Sequence, residues 1–345
     1  MKPGFVGVNT TRLRRNVLVV VLPTLALSLQ TVAGSQAIVE RPAADEGPTK
    51  IYVSMGLMDV DEIDSASQSF EANLFYTLRW HDPRLAHEGP GDRVDGLDTI
   101  WHPQLQFVNQ QRIFRTLPEV AHVSPEGHAI YRQRVWGPFS QPLAVRDFPF
   151  DTQGFEMRLA CSYARPSEIV FETDPEESTG LAPAFSLPDW EILGWEMDYE
   201  PYNPMEGSEG VASFALVFHA RRYAQPFIMK VILPLVLVVA MSWLIFWIDP
   251  AQAGTQIGVA STSMLTLIAY RFMVGGSLPE VPYLTRMDYF ILGSTVLVFL
   301  ALVQAVFTAV VAARNLPEQA ANVDGVCRIL FPIAFVAILI LSLVA

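Results

Sequence analysis

The sequence predicts an all-β, immunoglobulin-like sandwich followed by an all-α domain of four transmembrane helices, and two observations predict it. Residues 38–220 carry 30 acidic and 12 basic residues, whereas residues 221–345 carry only five acidic and seven basic ones. Charged residues make up 17% of the chain and its mean hydropathy is +0.30, whereas about 25% of a typical soluble domain is charged. A water-exposed domain before a membrane domain explains both values; an ordinary soluble enzyme, a disordered chain or a disulfide scaffold explains neither.

The first 37 residues are typical of a secretory signal peptide. Three arginines, ending at Arg15, precede an apolar run at residues 16–29, and small residues follow up to Ala37. The run contains Pro23 and is shorter than the ~20 residues that a bilayer core requires, which disfavours the alternative of a short anchor helix. We therefore expect cleavage within residues 1–37 and export of a domain at residues 38–222.

Four apolar stretches follow in a membrane domain at residues 223–345. They are predicted as helices at residues 227–248, 257–276, 289–313 and 326–345. Each stretch has enough residues to cross about 30 Å of hydrocarbon as a helix. Because an even number of spans follows an exported domain, the sequence predicts a multi-pass membrane protein, with the N-terminal domain and the C-terminus both extracytoplasmic.

The second apolar stretch has one face that is small and hydroxylated at its inner end and bulky further out. This predicted pore-lining face contains Gly254, Gly258, Ser261, Thr262, Leu265, Ala269 and Phe272. Such a face suits close helix packing as well as it suits a pore wall, where hydroxyls solvate ions and apolar rings close the path by dewetting. The pore interpretation requires an oligomer, and it makes Leu265 the predicted gate, with Phe272 the next candidate.

The exported domain shows the period-two alternation of half-buried strands. Alternate residues from Phe70 to Trp80 are apolar, and the same pattern recurs from Phe155 to Cys161. Several such strands within about 170 residues predict a β-sandwich. Phe75 is the single aromatic on the polar face of the first strand, where it would form a contact or a ligand wall at a subunit boundary.

Motifs for catalysis, cofactors and metals are absent from the sequence. It contains no P-loop, no nucleophile elbow and no His or Cys cluster with metal-ligand spacing, so we expect neither an enzyme, nor a cofactor, nor a metal site. The acidic balance of the exported domain argues against a nucleic-acid partner. Cys161 and Cys327 lie in different halves of the chain, so an intrachain disulfide is not expected.

Five short motifs, read in order, are similar to those of one known family. They are Trp-His-Asp-Pro-Arg-Leu at residues 80–85, Ile-Trp-His-Pro-Gln-Leu-Gln-Phe-Val-Asn at 100–109, Phe-Pro-Phe-Asp at 148–151, Ile-Leu-Pro at 232–234 and Leu-Pro-Glu-Val-Pro-Tyr at 278–283. From about residue 51 to 345 the chain resembles the pentameric ligand-gated ion channels of the Cys-loop superfamily, most of all their prokaryotic branch. Gln141 and Phe155 stand where the signature disulfide would be, which is usual for that branch.

The resemblance implies a homopentamer in which extracellular sandwiches sense a stimulus and pull on the pore helices. Its implied partners are other copies of the chain, permeant inorganic ions, a small-molecule or proton agonist and the lipid bilayer. Its implied location is the bacterial inner (cell) membrane. The implied coupling interface consists of Asp61, Glu62, Phe148, Pro149, Asp151, Arg222, Pro279, Pro282 and Tyr283. Within it, Arg222 is expected to contact Asp151 and either Asp61 or Glu62.

The resemblance leaves the stimulus open. The candidate ligand-binding residues are aromatic: Phe75, Tyr163, Tyr199, Tyr202 and Phe214. A complete aromatic box would bind an ammonium group by cation–π attraction, but Val108 occupies one of its positions. Protons are the alternative agonist, because histidines and perturbed acids titrate near neutrality. A non-conducting binding receptor is the alternative function, and a small transporter is disfavoured because the spans show no inverted repeat.

Two features bear on charge selectivity and they conflict. The segment before the second helix has the length found in the family's anion receptors, yet neutral Gln256 stands where those receptors place an arginine, and the glutamate of cation members is also missing. Asp249 and Glu280 place negative charge near the two pore mouths, and such rings concentrate cations. Arg271 is the opposing charge. The sequence favours a cation channel over an anion channel.

Overall fold

The computed structural model describes residues 40–42, 45, 47–205, 207–276, 281–314 and 316–343. Within them the chain forms a β-sandwich followed by four helices, so the predicted fold class is confirmed. The predicted signal peptide lies outside the described residues.

The larger sheet has eight strands and is built around three long antiparallel ones. Its strands are β1 (Thr49–Asp64), β2 (Ser69–His81), β3 (Arg93–Gly96), β5 (Phe114–Arg115), β6 (Val120–Val123), β7 (His128–Ser140), β9 (Ile169–Thr173) and β10 (Gly180–Leu181). The main order is β10-β1-β2-β7-β6-β3, with β5 paired to β7 and β9 paired to β1. The turn between β1 and β2 therefore lies at one end of the sheet.

The smaller sheet has four strands, β4 (Leu105–Phe107), β8 (Thr152–Cys161), β11 (Trp190–Asp198) and β12 (Ser213–Arg222), in the order β11-β12-β8-β4. The last strand leads directly into the first transmembrane helix. The start of β8 pairs with the end of β12, so the loop between β7 and β8 lies at the same end of the sandwich as the membrane domain.

Aromatic side chains from both sheets fill the sandwich core. The ring of Phe70 lies 5.4 Å from that of Phe139 and 5.2 Å from that of Phe155, and Phe155 stacks on Phe218 at 4.9 Å between centroids. The alternating apolar residues from Phe70 to Trp80 are all buried, as the period-two pattern predicts.

The four helices are α1 (Gln225–Trp247), α2 (Ala253–Gly275), α3 (Arg286–Ala313) and α4 (Pro317–Leu343). The first contains a π-helical turn at Ile228–Ile232, just before Pro234, whose ring nitrogen cannot donate a helical hydrogen bond. The third begins with a capping box, because Thr285 and Asp288 each accept a bond from the other's backbone. The fourth begins well before the predicted start at residue 326, since its first turns are polar and hydropathy alone misses them.

Candidate functional site

The two faces of α2 differ completely in their exposure within the chain. The buried face packs on the other helices and contains Gln256, Ala260, Ser263, Leu267, Tyr270 and Val274. All seven residues of the predicted pore-lining face are exposed, including Leu265 at 68% and Phe272 at 84%. No described residue of the chain covers these two large apolar side chains, and such a surface is typically covered by another molecule or subunit.

The inner half of this exposed face presents hydroxyls that are already bonded to the helix. Thr262 Oγ1 donates to Gly258 O at 2.9 Å, and Thr266 Oγ1, which is exposed beside this face one turn further out, donates to Thr262 O at 2.8 Å. Each hydroxyl oxygen therefore keeps its lone pairs for a cation or for water. Gln256, which the sequence places at the inner mouth, is fully buried on the opposite face and does not belong to the exposed surface.

Arg222 and Asp151 form a buried ion pair where the sandwich meets the helices. Arg222 Nε donates to Asp151 Oδ1 at 2.8 Å and Nη2 donates to Oδ2 at 3.2 Å. The guanidinium also lies 4.1 Å from the ring centroid of Trp190 and 5.0 Å from that of Phe148. Bidentate geometry, burial and aromatic neighbours make this a strong contact between the last strand and the β7–β8 loop.

The expected contact of Arg222 with Asp61 or Glu62 is absent, and Ser65 replaces it. Arg222 Nη2 donates to Ser65 Oγ at 2.8 Å, at the tip of the β1–β2 turn. Asp61 and Glu62 lie on β1 before that turn and are exposed. Asp61 instead accepts a bond from Trp136 Nε1 at 3.0 Å. The correction follows from position, since only the tip of the turn reaches the guanidinium.

A second set of contacts joins the β7–β8 loop to the start of α3. Tyr283 Oη accepts from Val145 N at 3.2 Å and donates to Leu143 O at 3.4 Å. Arg286 Nε donates to Asp147 Oδ1 at 2.8 Å in an ion pair that the sequence analysis missed. Oppositely charged residues so far apart in the chain carry no spacing signal that would have found it.

The remaining coupling candidates occupy different environments. Phe148 is fully buried and meets Phe227 of α1 edge-on at 4.8 Å between centroids. Pro149 is buried after a cis peptide bond. Pro282 is exposed within the chain, and Pro279 lies outside the described residues.

The aromatic ligand candidates are not brought together within one chain. Phe75 is half-buried in an open depression of about 800 Å³ on the larger sheet, with Met58, Leu117, Arg134 and Glu176 among its walls. None of the candidate tyrosines lines this depression.

The tyrosines lie around the β11–β12 loop and the end of β8. Tyr163 is 47% exposed and its hydroxyl donates to His102 O at 3.3 Å. Tyr199 shares a 2.5 Å hydrogen bond with Thr173, and Tyr202 pairs through its backbone with Val211 across the loop.

Phe214 does not belong with the ligand candidates, and its assignment is corrected. Its side chain is fully buried between the sheets, where its ring lies 4.8 Å from that of Phe171. On β12 the alternation of Phe214, Leu216 and Phe218 places all three on the core face. That pattern was present in the sequence.

Arg158 is a further residue that the sequence analysis did not single out. It is buried on β8, forms ion pairs with Glu156 and Asp198, and donates to Glu200 O at 2.9 Å and Ser213 Oγ at 3.0 Å. These bonds fix the base of the β11–β12 loop just before Tyr202.

An acidic cluster lies on the β1–β2 hairpin beside the coupling contacts. Glu62 and Glu71 face each other directly across the two strands, and Asp61 is close by. Partial burial, and then the charges of Asp61 and Glu62, raise the pKa of Glu71 above its ordinary value. Glu71 therefore takes up a proton at a higher pH than an isolated glutamate.

Comparison with known proteins identifies the class to which this fold and these contacts belong. Residues 30–215 match the model of the neurotransmitter-gated ion-channel ligand binding domain, and residues 231–319 match that of the transmembrane region of the same channels. The chain therefore belongs to the pentameric ligand-gated ion channel family and is a membrane protein.

The chain is also similar to a prokaryotic member of this family. The chain is 26% identical over 298 residues to a protein of Gloeobacter violaceus described as a proton-gated ion channel, and the alignment covers 85% of this chain and 82% of that one. The resemblance to the prokaryotic branch is thereby confirmed.

Proposed function

We propose that the chain forms a homopentameric, cation-selective channel whose pore is lined by the exposed face of α2. The observation that carries this proposal is that one face of α2 is buried against the other helices whereas the opposite face, with the predicted pore residues, is exposed. Five copies arranged with the buried stripe outward would surround the axis with Thr262 hydroxyls and, above them, rings of Leu265 and Phe272. Hydroxyls solvate ions and a tight apolar ring blocks them by dewetting.

Cation selectivity is proposed from the charges around the pore face, which itself carries none. Asp249 is exposed at the inner end of α2, and the exported domain carries a large excess of acidic residues. Arg271 is the opposing charge, because it is exposed in a depression that it shares with Met264, Thr295 and Phe272 of the predicted pore face. The negative field is screened over about 8 Å at physiological ionic strength, so the charge nearest the mouths matters most.

Protons are the proposed stimulus, acting at the acidic cluster of the β1–β2 hairpin. The Gloeobacter violaceus relative is described as proton-gated. In this chain Glu71 combines a raised pKa with a place on the hairpin whose tip holds Arg222 through Ser65. Neutralising Glu71 removes repulsion between facing strands and so changes the hairpin that contacts the start of the membrane domain.

A small cationic ligand is the second candidate stimulus, favoured by the depression around Phe75. Glu176 and Glu177 line it beside that aromatic ring but are paired with Arg79 and Arg132. The ring of Phe75 is therefore the group that would attract a cation, through its aromatic face. In a pentamer the depression would face the tyrosines of the neighbouring subunit.

The proposal also includes a location in the bacterial inner membrane, with the N-terminal domain and the C-terminus both extracytoplasmic.

Current recorded from the purified protein in planar bilayers tests this function. We expect acidification on the sandwich side to open channels whose reversal potential follows the sodium or potassium gradient. A reversal potential that follows chloride would show an anion channel, and protein that is folded and pentameric but carries no current would favour a non-conducting receptor. Perfusion of small amines at constant pH separates the two stimuli.

A further inference from the structure

A buried carboxylate lies among the inner ends of the helices, and the mechanism proposed above does not use it. Asp324 of α4 is fully buried. Its Oδ2 accepts a hydrogen bond from Gln256 Nε2 of α2 at 3.2 Å, and its Oδ1 accepts one from Gln304 Nε2 of α3 at 2.5 Å. Ionisable groups inside a membrane domain are expensive, so they mark function or a specific structural role.

The contact with Gln256 determines which side of α2 turns outward at its inner end. Gln256 Nε2 also donates to Ile248 O at 2.9 Å, and Thr308 Oγ1 of α3 lies 3.4 Å from its Oε1. These contacts hold the amide away from the exposed face, where Gly254, Thr255 and Gly258 are left at the surface. Because successive residues of a helix are about 100° apart, this end of α2 would have to turn by about 100° or more to bring Gln256 to that surface.

One turn further along α4, Arg328 fastens the same region to α1. Its Nε donates to Phe246 O at 2.8 Å, and its guanidinium lies 4.8 Å from the ring centroid of Trp247. Trp243 Nε1 of α1 donates a hydrogen bond to Arg328 O at 3.1 Å. Asp324 and Arg328 thus connect α4 to the other three helices at one level, although few other residues of α4 are buried.

We infer that Asp324 is a positioning residue for ion permeation. It holds the inner end of α2 so that glycines and a hydroxyl, rather than the Gln256 amide, line the inner mouth. This inference rests on the proposed function, since it requires that α2 lines the pore. A carboxylate at position 324 can accept hydrogen bonds from the side-chain amides of Gln256 and Gln304 at once. An asparagine there would place its own NH2 group against the NH2 group of one of these glutamines, and two donors cannot bond to each other.

The test compares Asp324→Asn with Glu318→Gln, an exposed acid near the start of the same helix. Single-channel conductance and the sodium-to-chloride permeability ratio are measured in symmetrical and graded salt. We expect Asp324→Asn to change conductance at least twofold and Glu318→Gln to leave it unchanged. Gln256→Ala should change conductance in the wild-type background but add little to Asp324→Asn, since both break the same contact.

Conducting Asp324→Asn channels with wild-type conductance and permeability would overturn the inference, as would fully additive effects of the two substitutions. If Asp324→Asn does not assemble, Gln256→Ala alone decides: an altered conductance supports the inference and an unchanged one refutes it. Wild-type protein without current would instead refute the proposed function on which the inference rests, so the two failures are distinguishable.

Discussion

Arg222 and Asp151 are joined by two hydrogen bonds and lie almost entirely out of water, with side-chain exposures of 6% and 1%. The pair connects the final strand of the sandwich, three residues before α1 begins, to the β7–β8 loop. Asp151 also accepts from Gln153 Nε2 at 2.9 Å. Because the pair is buried, water cannot replace either partner if the other moves away. A movement of the final strand is therefore transmitted to the β7–β8 loop, and a movement of the loop to the strand.

Arg222→Ala should abolish gating or prevent assembly. Removing one partner of a buried, hydrogen-bonded pair costs about 3–5 kcal/mol, because the other charge is left buried and unpaired. Arg221→Ala is the matched control, since Arg221 pairs with Glu191 on an exposed surface, where such pairs contribute about 0–1 kcal/mol. Size-exclusion chromatography and current recording measure both. Activation of Arg222→Ala at the wild-type stimulus strength would contradict the assignment.

Tyr283→Phe should weaken coupling without preventing assembly. The substitution removes the hydroxyl that bonds Val145 N and Leu143 O but keeps the ring under Arg146. One such bond contributes about 0.5–1.5 kcal/mol, which corresponds to a shift of roughly two- to tenfold in the stimulus needed for half-activation. Tyr289→Phe, an exposed tyrosine on α3, should not shift it. Equal shifts in both variants would show that the loop contact has no special role.

Strands and helices whose buried residues recur at a regular spacing could be predicted from the sequence. The alternation of β2 and the helical stripe of α2 follow from which side chains leave water, and a single segment contains that information. The same pattern on β12 would have placed Phe214 in the core. Arg222 and Asp151 were found through family resemblance.

Contacts that depend on the packing of distant segments could not be predicted. Whether Arg222 meets Ser65 or Asp61 depends on the irregular pairing of β1 with β2, which moves the carboxylates relative to the turn. Arg286 and Asp147 come from different domains. Gln256 and Asp324 are single polar residues in apolar segments, and only the packed helices show that each is the partner of the other.

Glu71→Gln should move the pH of half-activation upward, by roughly 0.3–1 pH unit, the size of a partly screened interaction with neighbouring carboxylates. The raised pKa of Glu71 means that the folded protein binds this proton at a pH where an isolated glutamate would have lost it. If that proton favours opening, the uncharged glutamine supplies its effect at every pH. Glu191→Gln, which removes an exposed acid on β11, should leave the midpoint unchanged. Current measured across stepped external pH gives both values.

An open probability that stays flat from acid to alkaline pH would exclude protons as the stimulus. Phe75→Ala then tests the second candidate, because it removes the aromatic wall of the depression on the larger sheet. We expect it to raise the amine concentration for half-activation at least tenfold if that depression binds the ligand, since a desolvated cation–π contact contributes about 2 kcal/mol.

Leu265→Ser should shift the channel toward the open state. Leu265 is 68% exposed at mid-helix, on the face of α2 that no described part of the chain covers, so five copies would form an apolar ring around the axis. A hydroxyl in each subunit wets that ring and removes the dewetting barrier, which should appear as current without stimulus or as a lower stimulus for half-activation. Leu292→Ser is the matched control, because Leu292 is an exposed leucine of α3 and does not belong to the predicted pore face. A Leu265→Ser channel that opens no more readily than wild type would place the closed constriction elsewhere, and Phe272→Ser would then be the variant to record.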